Sequence, residues 1–400
     1  VVPSVIVSAA RTAIGKFGGA VSGLPAVDLG GHAVRAALDR AKLGGDQIDY
    51  VIMGHVLQAG TGQITARQAA VIGGIPTSVP ALTINKVCLS GLNAIALADQ
   101  LIRAGEVSTV VAGGMESMDQ APYLLQKARM GYRMGDGRLV DSMIYDGLWD
   151  AFNHKHMGDQ SDDVNKEFSI GRAEQDEWAA RSHQRADAAT RDGRFSQEIV
   201  PIEVPQQKGG PVVFDTDEGI RPGTTAASLA ALPPVFQDDG TITAGNASQI
   251  SNGAAALVVM SAQRAHELGL EPIAEVLAHG MSAERPPYLH TVPALATNNA
   301  LKKAGVSARD LDLVEINEAF AAVALHSTRM LFNGDKGAEA KVNVNGGAVA
   351  LGHPIGCTGA RLSVTLLHEL HRRGGGLGVA TLCGGGGQGD AVVYRVPASR

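Results

Sequence analysis

The 400-residue chain has few aromatic residues, 4% with two tryptophans, and little charge, 18% against the roughly 25% usual in globular domains. Beside 45% hydrophobic residues, that scarcity of charge excludes an intrinsically disordered chain. Lysine and arginine number 34 against 40 acidic residues, a net charge of −6, so no overall basic bias toward nucleic acid exists. No apolar run reaches the roughly 18 residues of a membrane helix, and no membrane association is expected. Three cysteines cannot build a disulfide framework that uses them all, which points to a reducing compartment. The opening "VVPSVIVSAARTAIG" lacks the basic and long apolar regions of a secretory signal and reads as a strand. A cytoplasmic location is expected, or the mitochondrial matrix if a leader precedes Val1. Nucleotide signatures are missing as well: there is no Gly-x-Gly-x-x-Gly after the first strand and no P-loop ending. His154 and His156 have no companions at zinc-ligand spacing, so no metal site is expected.

Glycine is in excess, 50 residues in all, of which 14 fall between Gly346 and Gly389 without a collagen period. The length suggests two to four domains. Short β-rich runs alternate with helical patterns. Strands are expected at 5–8, 50–53, 109–112, 256–260, 312–316, 378–382 and 391–396, and helices at 28–41, 89–103, 291–304 and 360–372. This alternation predicts an α/β architecture with mostly parallel sheets. The helix–strand segments 37–53 and 300–316 resemble each other, as in Ala37/Ala300, Leu38/Leu301, Asp49/Asp312 and Val51/Val314. A duplicated domain with a site between its halves would explain this, as would a chance likeness of two amphipathic segments. The middle, about 119–247, is richer in charge, methionine and aromatics and reads as an insertion. It holds the basic segment 126–138 and a charged helix from 172 that ends at Gly193.

Each cysteine is therefore conspicuous. Cys88 stands at the start of an apolar helix, where unpaired N–H groups favour a thiolate; a buried structural cysteine is the alternative. Cys383 lies in "CGGGGQG" between two β-branched runs, a hairpin whose turn carries a thiol and whose bare N–H groups could form an oxyanion hole. His353 sits on a constrained Gly-Pro loop, as a catalyst or as a structural hydrogen-bonding residue, with Cys357 at the next helix start. Asn317 and Glu318 lie where a strand ends and a helix begins, the preferred site position in open α/β sheets, although an Asn N-cap would read the same.

Taken together, "NKVCLSGLNAIALA", "AGGMESM", "NEAFA", "NVNGGAVALGHPIGCTGAR" and "CGGGGQG" resemble the thiolase family in order and spacing, over essentially the whole chain. The resemblance implies a thiolase fold: two similar α/β core domains with mixed five-stranded sheets, stacked as αβαβα, plus an inserted loop domain. The domains would be 1–118 with 248–270, 119–247, and 271–400. It implies thiolysis of a 3-ketoacyl-CoA or the reverse Claisen condensation, most simply of two acetyl-CoA to acetoacetyl-CoA and CoA. Cys88 would be the nucleophile, Cys383 the acid/base and His353 the activator of Cys88. Asn317 would hold a water in one oxyanion hole, and the N–H groups of Cys88 and Gly385 would form the other. His156, Met157, Leu289, Ala319 and Phe320 would line the pantetheine and acyl pocket, and Arg221, Ser228 and Ser248 would contact CoA. No cofactor is implied, CoA being substrate or product, and a homotetramer is, with 126–138 as its loop. The chain departs from the family at "SQISNG" (248–253), "PPYLHTVP" (286–293) and "CGGGGQG", which bears on acyl-chain preference. A degradative thiolase of broader chain length, a non-catalytic acyl-CoA binder and a ketoacyl synthase are the alternatives.

Overall fold

The computed structural model describes residues 3–206 and 208–398. The first half runs β1 (Ser4–Thr12), α1 (Ala26–Ala41), β2 (Tyr50–Gly54), α2 (Thr65–Ile72), β3 (Ala81–Ile84), α3 (Ser90–Ala104) and β4 (Thr109–Ser117). A long, sparsely regular segment follows, with helices α4 (Met157–Glu167) and α5 (Arg172–Arg191), before β5 (Ser251–Ser261) returns to the first sheet. The second half runs β6 (Ala274–Ala283), α6 (Val292–Ala304), β7 (Leu313–Ile316), α7 (Ala321–Leu331), α8 (Thr358–Arg372), β8 (Gly376–Gly384) and β9 (Gln388–Val396).

The strand order is β3-β2-β4-β5-β1 in the first half and β6-β9-β8-β7 in the second, and the two sheets join where Ser4–Ile6 pairs antiparallel with 274–276. Each half thus has the same mixed pattern, parallel at its outer strands and antiparallel inward. At the position of β3, the second half has a single parallel bridge from Val314 to Val342. The likeness of 37–53 to 300–316 falls on matching places, the end of α1 with β2 and the end of α6 with β7. Helices α1 and α2 cover one outer face and α6 and α7 the other, while α3 and α8 pack on each other and on both sheets. The result is five layers. Val87–Ala104 is apolar and long enough to match a membrane span, yet here it is the buried central helix.

Why two helices can share that layer is legible in its glycines. A Cβ on Gly91, the second residue of α3, would lie 2.8 Å from the backbone nitrogen of Ala360 in α8. A Cβ on Gly359, the second residue of α8, would in turn strike the backbone nitrogen of Leu92. The two N-termini therefore touch backbone to backbone, and each needs the other to lack a side chain.

The inserted segment is anchored by buried charge. Arg11 on β1 is fully buried and pairs with Glu198 (2.6 Å) and, through both terminal nitrogens, Asp217 (2.8 and 2.9 Å). Helix α5 turns a polar face inward, and Trp178 Nε1 and Ser182 Oγ donate to Glu318 at 2.9 and 2.7 Å.

Overpacking a close contact costs about 1–3 kcal/mol. Gly359→Ala should therefore lower the melting temperature by that equivalent. Gly23→Ala, where a Cβ meets nothing within 4 Å, should leave it unchanged. Equal melting curves for the two variants would contradict the helix contact.

Candidate active site

Cys88 follows Val87, whose φ of 49° puts a β-branched residue in the left-handed region. Ser90 secures that turn: its hydroxyl donates to the Val87 carbonyl (2.6 Å) and accepts from the Lys86 N–H (2.8 Å). Lys86 Nζ in turn pairs with Asp390 of β9 (2.9 Å), which also accepts from Asn93 of α3 (3.1 Å). The loop bearing Cys88 is thereby bolted to the β8–β9 hairpin bearing Cys383. The backbone N–H groups of Gly385 and of Cys88 itself favour the Cys88 thiolate, but burial outweighs them and pushes the thiol up to about 12, with Glu116 adding in the same direction. Burial thus opposes the thiolate that the sequence expectation places at this helix N-terminus.

Cys383 is fully buried at the end of β8, opposite Gly389. Burial raises its thiol well above the ordinary value, and the neighbouring Cys88 raises it further. The two thiols are thus electrostatic neighbours. In the turn beyond, Gly386 and Gly387 have φ of 79° and 71°, and a Cβ on Gly387 would sit 2.5 Å from the Arg285 carbonyl. Gly385 has no such constraint. A Cβ there would reach only Val87 and Met157, at 3.5 and 3.7 Å, in a cavity of about 670 Å³ that all three line.

His353 follows Gly352, whose φ of 109° L-side chains avoid. Its Nδ1 lies 2.6 Å from Thr358 Oγ1, and that hydroxyl donates to the Pro354 carbonyl (2.9 Å). Nδ1 therefore carries the ring proton, and Nε2 is left as an acceptor facing Asn317 Nδ2 at 3.4 Å. Burial lowers the imidazole to about 3, and Arg361 assists, so the ring is neutral. Asn317 leaves β7 with its N–H on the Thr381 carbonyl (3.0 Å), and its buried Oδ1 has no partner among the described residues. No hydrogen bond among the described residues joins His353 to Cys88.

Two carboxylates that sequence reasoning left without a role hold these loops. Glu116, at the buried end of β4, accepts the N–H groups of Val56 and Leu57 (3.1 Å each) and of Gly356 on the His353 loop (2.9 Å). Glu318, next to Asn317, accepts from Trp178, Ser182, Asn343 (3.0 Å) and the Val349 N–H (3.0 Å). The sequence signal for Glu116 is a lone carboxylate near the end of an otherwise apolar strand.

The expected pocket residues meet around Cys383. Met157, Leu289, Ala319 and Phe320 share one apolar cluster with it, completed by Ile242, Val292 and Val323. His156 caps α4, accepting the Gly158 N–H at Nδ1 (3.0 Å), and its ring stacks on Phe236 at 4.6 Å. Phe236 in turn meets Phe320 edge-on. Ser248 is tied to this wall through its N–H on the Ala319 carbonyl (3.0 Å). Arg221 and Ser228 lie apart on the surface. The Ser228 hydroxyl is spent on a capping box with Thr225, and the Arg221 backbone N–H donates to His183 (3.1 Å).

Comparison with known proteins identifies the family. The thiolase N-terminal domain family matches residues 4–263 and the thiolase C-terminal domain family residues 270–396. A probable acetyl-CoA acetyltransferase of Mycolicibacterium smegmatis is 56% identical over 98% of this chain and 100% of its own length. An acetyl-CoA acetyltransferase of Cupriavidus necator is 52% identical over 98% of each. Among solved structures, the Bacillus anthracis acetyl-CoA acetyltransferase superposes with a TM-score of 0.95 at 42% identity, covering 99% of both chains.

A thiol held near 12 exposes about tenfold more thiolate per pH unit throughout the neutral range. In a Cys383→Ser background, alkylation of Cys88 by iodoacetamide should climb about tenfold per unit from pH 7 to 9 without levelling. A plateau centred below pH 8 would show that the helix N-terminus dominates after all.

Proposed function

The chain belongs to the thiolase family, and we propose that it is an acetyl-CoA C-acetyltransferase, interconverting two acetyl-CoA with acetoacetyl-CoA and CoA through an acyl-cysteine. The observation that carries this reading is the pair of buried thiols, Cys88 beside the Gly385 turn and Cys383 on the hairpin within electrostatic reach of it.

Cys88 Sγ attacks the C3 carbonyl of acetoacetyl-CoA, its proton passing toward His353 Nε2, the ring nitrogen that the Thr358 contact leaves bare. The two N–H groups now aimed at the sulfur, of Cys88 and Gly385, face the oxygen of an acyl group formed there. The C2–C3 bond breaks, acetyl-CoA leaves as its enolate, and Cys383 protonates the carbon. His353 and a water on the Asn317 amide stabilise the enolate oxygen. Cys383 then takes the proton of incoming CoA, whose thiolate releases the acetyl group from Cys88. These steps use thiols, an imidazole, an amide and backbone N–H groups, and call for no metal or prosthetic group.

The inserted segment 119–247 would bind CoA, with Ser248, Arg221 and Ser228 along its path and His156 and Met157 closing over the acyl end. Leu289, Ile242 and Phe320, clustered around Cys383, would restrict the acyl group there to an acetyl. A homotetramer is supported by the basic loop 126–138, which turns Met130 and Met134 almost wholly outward at 88% and 97% exposure. The bacterial relatives support a cytoplasmic location.

Thiolysis rates over a series of 3-ketoacyl-CoA esters test the reading. Acetoacetyl-CoA should be preferred, Cys88→Ala should abolish turnover, and a preference for long chains would favour the degradative alternative. Gly385→Val should cut kcat by on the order of 10²-fold while melting like the parent, because its side chain enters the cavity and misplaces the thioester. A parallel loss of stability would mean that Gly385 serves the fold. A monomeric mass in solution would remove the tetramer.

A further inference from the structure

Leu289 and His290 are neighbours in the loop before α6, and both are fully buried. Leu289 joins the apolar wall beside Cys383. His290 engages a different set of neighbours: its Nε2 lies 2.9 Å from Asn165 Oδ1 on α4. The other end of that amide, Asn165 Nδ2, donates to Thr241 Oγ1 (3.0 Å), as does Gln175 Nε2 (2.8 Å). With two donors on its oxygen, the Thr241 hydroxyl spends its own proton on Asp162 Oδ1 (3.2 Å). That carboxylate also accepts the N–H groups of Thr241 (2.8 Å) and Ile242 (3.1 Å). The direction of every bond is thus set from the acid end: Asp162 accepts from Thr241, Thr241 from Asn165, and Asn165 from His290. His290 must donate from Nε2 and is the neutral Nε2–H tautomer.

This buried chain links three members of the apolar cluster around Cys383. Leu289 is the immediate neighbour of His290, Ile242 hangs from Asp162 through its N–H, and Met157 opens the helix that carries Asn165. Ser327 Oγ holds the His290 carbonyl at 2.7 Å. The imidazole meanwhile fills the space beside Phe168 and His326, with ring centroids at 6.2 and 6.3 Å. We propose that His290 is a positioning residue that fixes the acyl-chain limit, holding Leu289 against the site through the His290–Asn165–Thr241–Asp162 chain. The inference rests on the acetyltransferase reading above. Removing the imidazole both cuts the tie and opens room into which Leu289 can withdraw.

The experiment measures kcat/KM for 3-ketopentanoyl-CoA and for acetoacetyl-CoA. Discrimination by one methylene is worth roughly 10–200-fold. His290→Ala should shift the ratio at least about tenfold toward the longer substrate. His290→Gln, which keeps an N–H near the Nε2 position, should retain the parent ratio. Thr241→Val, which exchanges a hydroxyl for a methyl two links away, should shift the ratio in the same direction by less, and it carries the test if His290→Ala does not fold. An unchanged ratio in the folded variants, or a Gln variant as altered as the Ala variant, overturns the proposal. Failure of the parent protein to cleave acetoacetyl-CoA would instead overturn the acetyltransferase reading on which it rests.

Discussion

The contact between the N-termini of α3 and α8 is the constraint from which the rest of this structure follows. It exists because Gly91 and Gly359 leave their helices bare at the crossing. Just before one helix lies Cys88, and just before the other the loop of His353. Bringing the two helix starts into backbone contact therefore brings Cys88 and the imidazole loop to one place, although they lie in opposite halves of the fold. Gly114 extends the same logic, since a Cβ there would strike the Gly356 carbonyl. The glycine excess between Gly346 and Gly389 is thus in good part a packing device. Gly378 similarly gives way to Leu366 and Leu370 of α8.

Once the helices are in contact, their loops still need a fixed pitch, and two buried carboxylates provide it. Glu116 gathers N–H groups from 56–57 and from Gly356, so one side chain spans both halves. Glu318 does the same between the Asn317 turn, the 343–349 loop and the inserted helix α5. A buried carboxylate lacking such donors would be strongly disfavoured. Each therefore demands that its loops close around it, and in closing they aim Asn317 and His353 at each other.

Much of this was legible in the sequence, for identifiable reasons. Strands such as β5 and β9 carry β-branched runs between turn residues, and α3 carries an apolar period, so propensity and packing agree there. β6 was missed because "AEVLAHGMSA" shows neither clean alternation nor β-branched enrichment; its pairing with β1 and β9 makes it a strand. α5 reads as a solvated charged helix, yet Gln175, Asp176, Ser182 and His183 are buried against partners that sequence distance hides. The residue types of the site, two thiols, an imidazole and an amide, were visible. Their protonation was not, because it depends on burial that only the folded layers create.

That protonation is itself informative about how the site must work. At rest both thiols are pushed upward and the imidazole downward by the same desolvation, so all three groups are neutral. A resting thiolate–imidazolium pair would bring charge into a layer that α3 and α8 have closed to water. Neutral groups under preorganised N–H donors avoid that cost, and charge arises only when a thioester supplies an oxygen to receive it. The donors on the Cys88 sulfur are then worth most in the intermediate and least in the free enzyme, which is the condition for speeding the chemical step rather than tightening binding. The apolar cluster of Met157, Leu289, Ile242 and Phe320 packs beside Cys383 and adds to the desolvation that keeps its thiol neutral. On the proposed reading, chain-length selection and catalysis would share that wall: one loose enough to admit a longer chain would also weaken the desolvation that holds both thiols neutral.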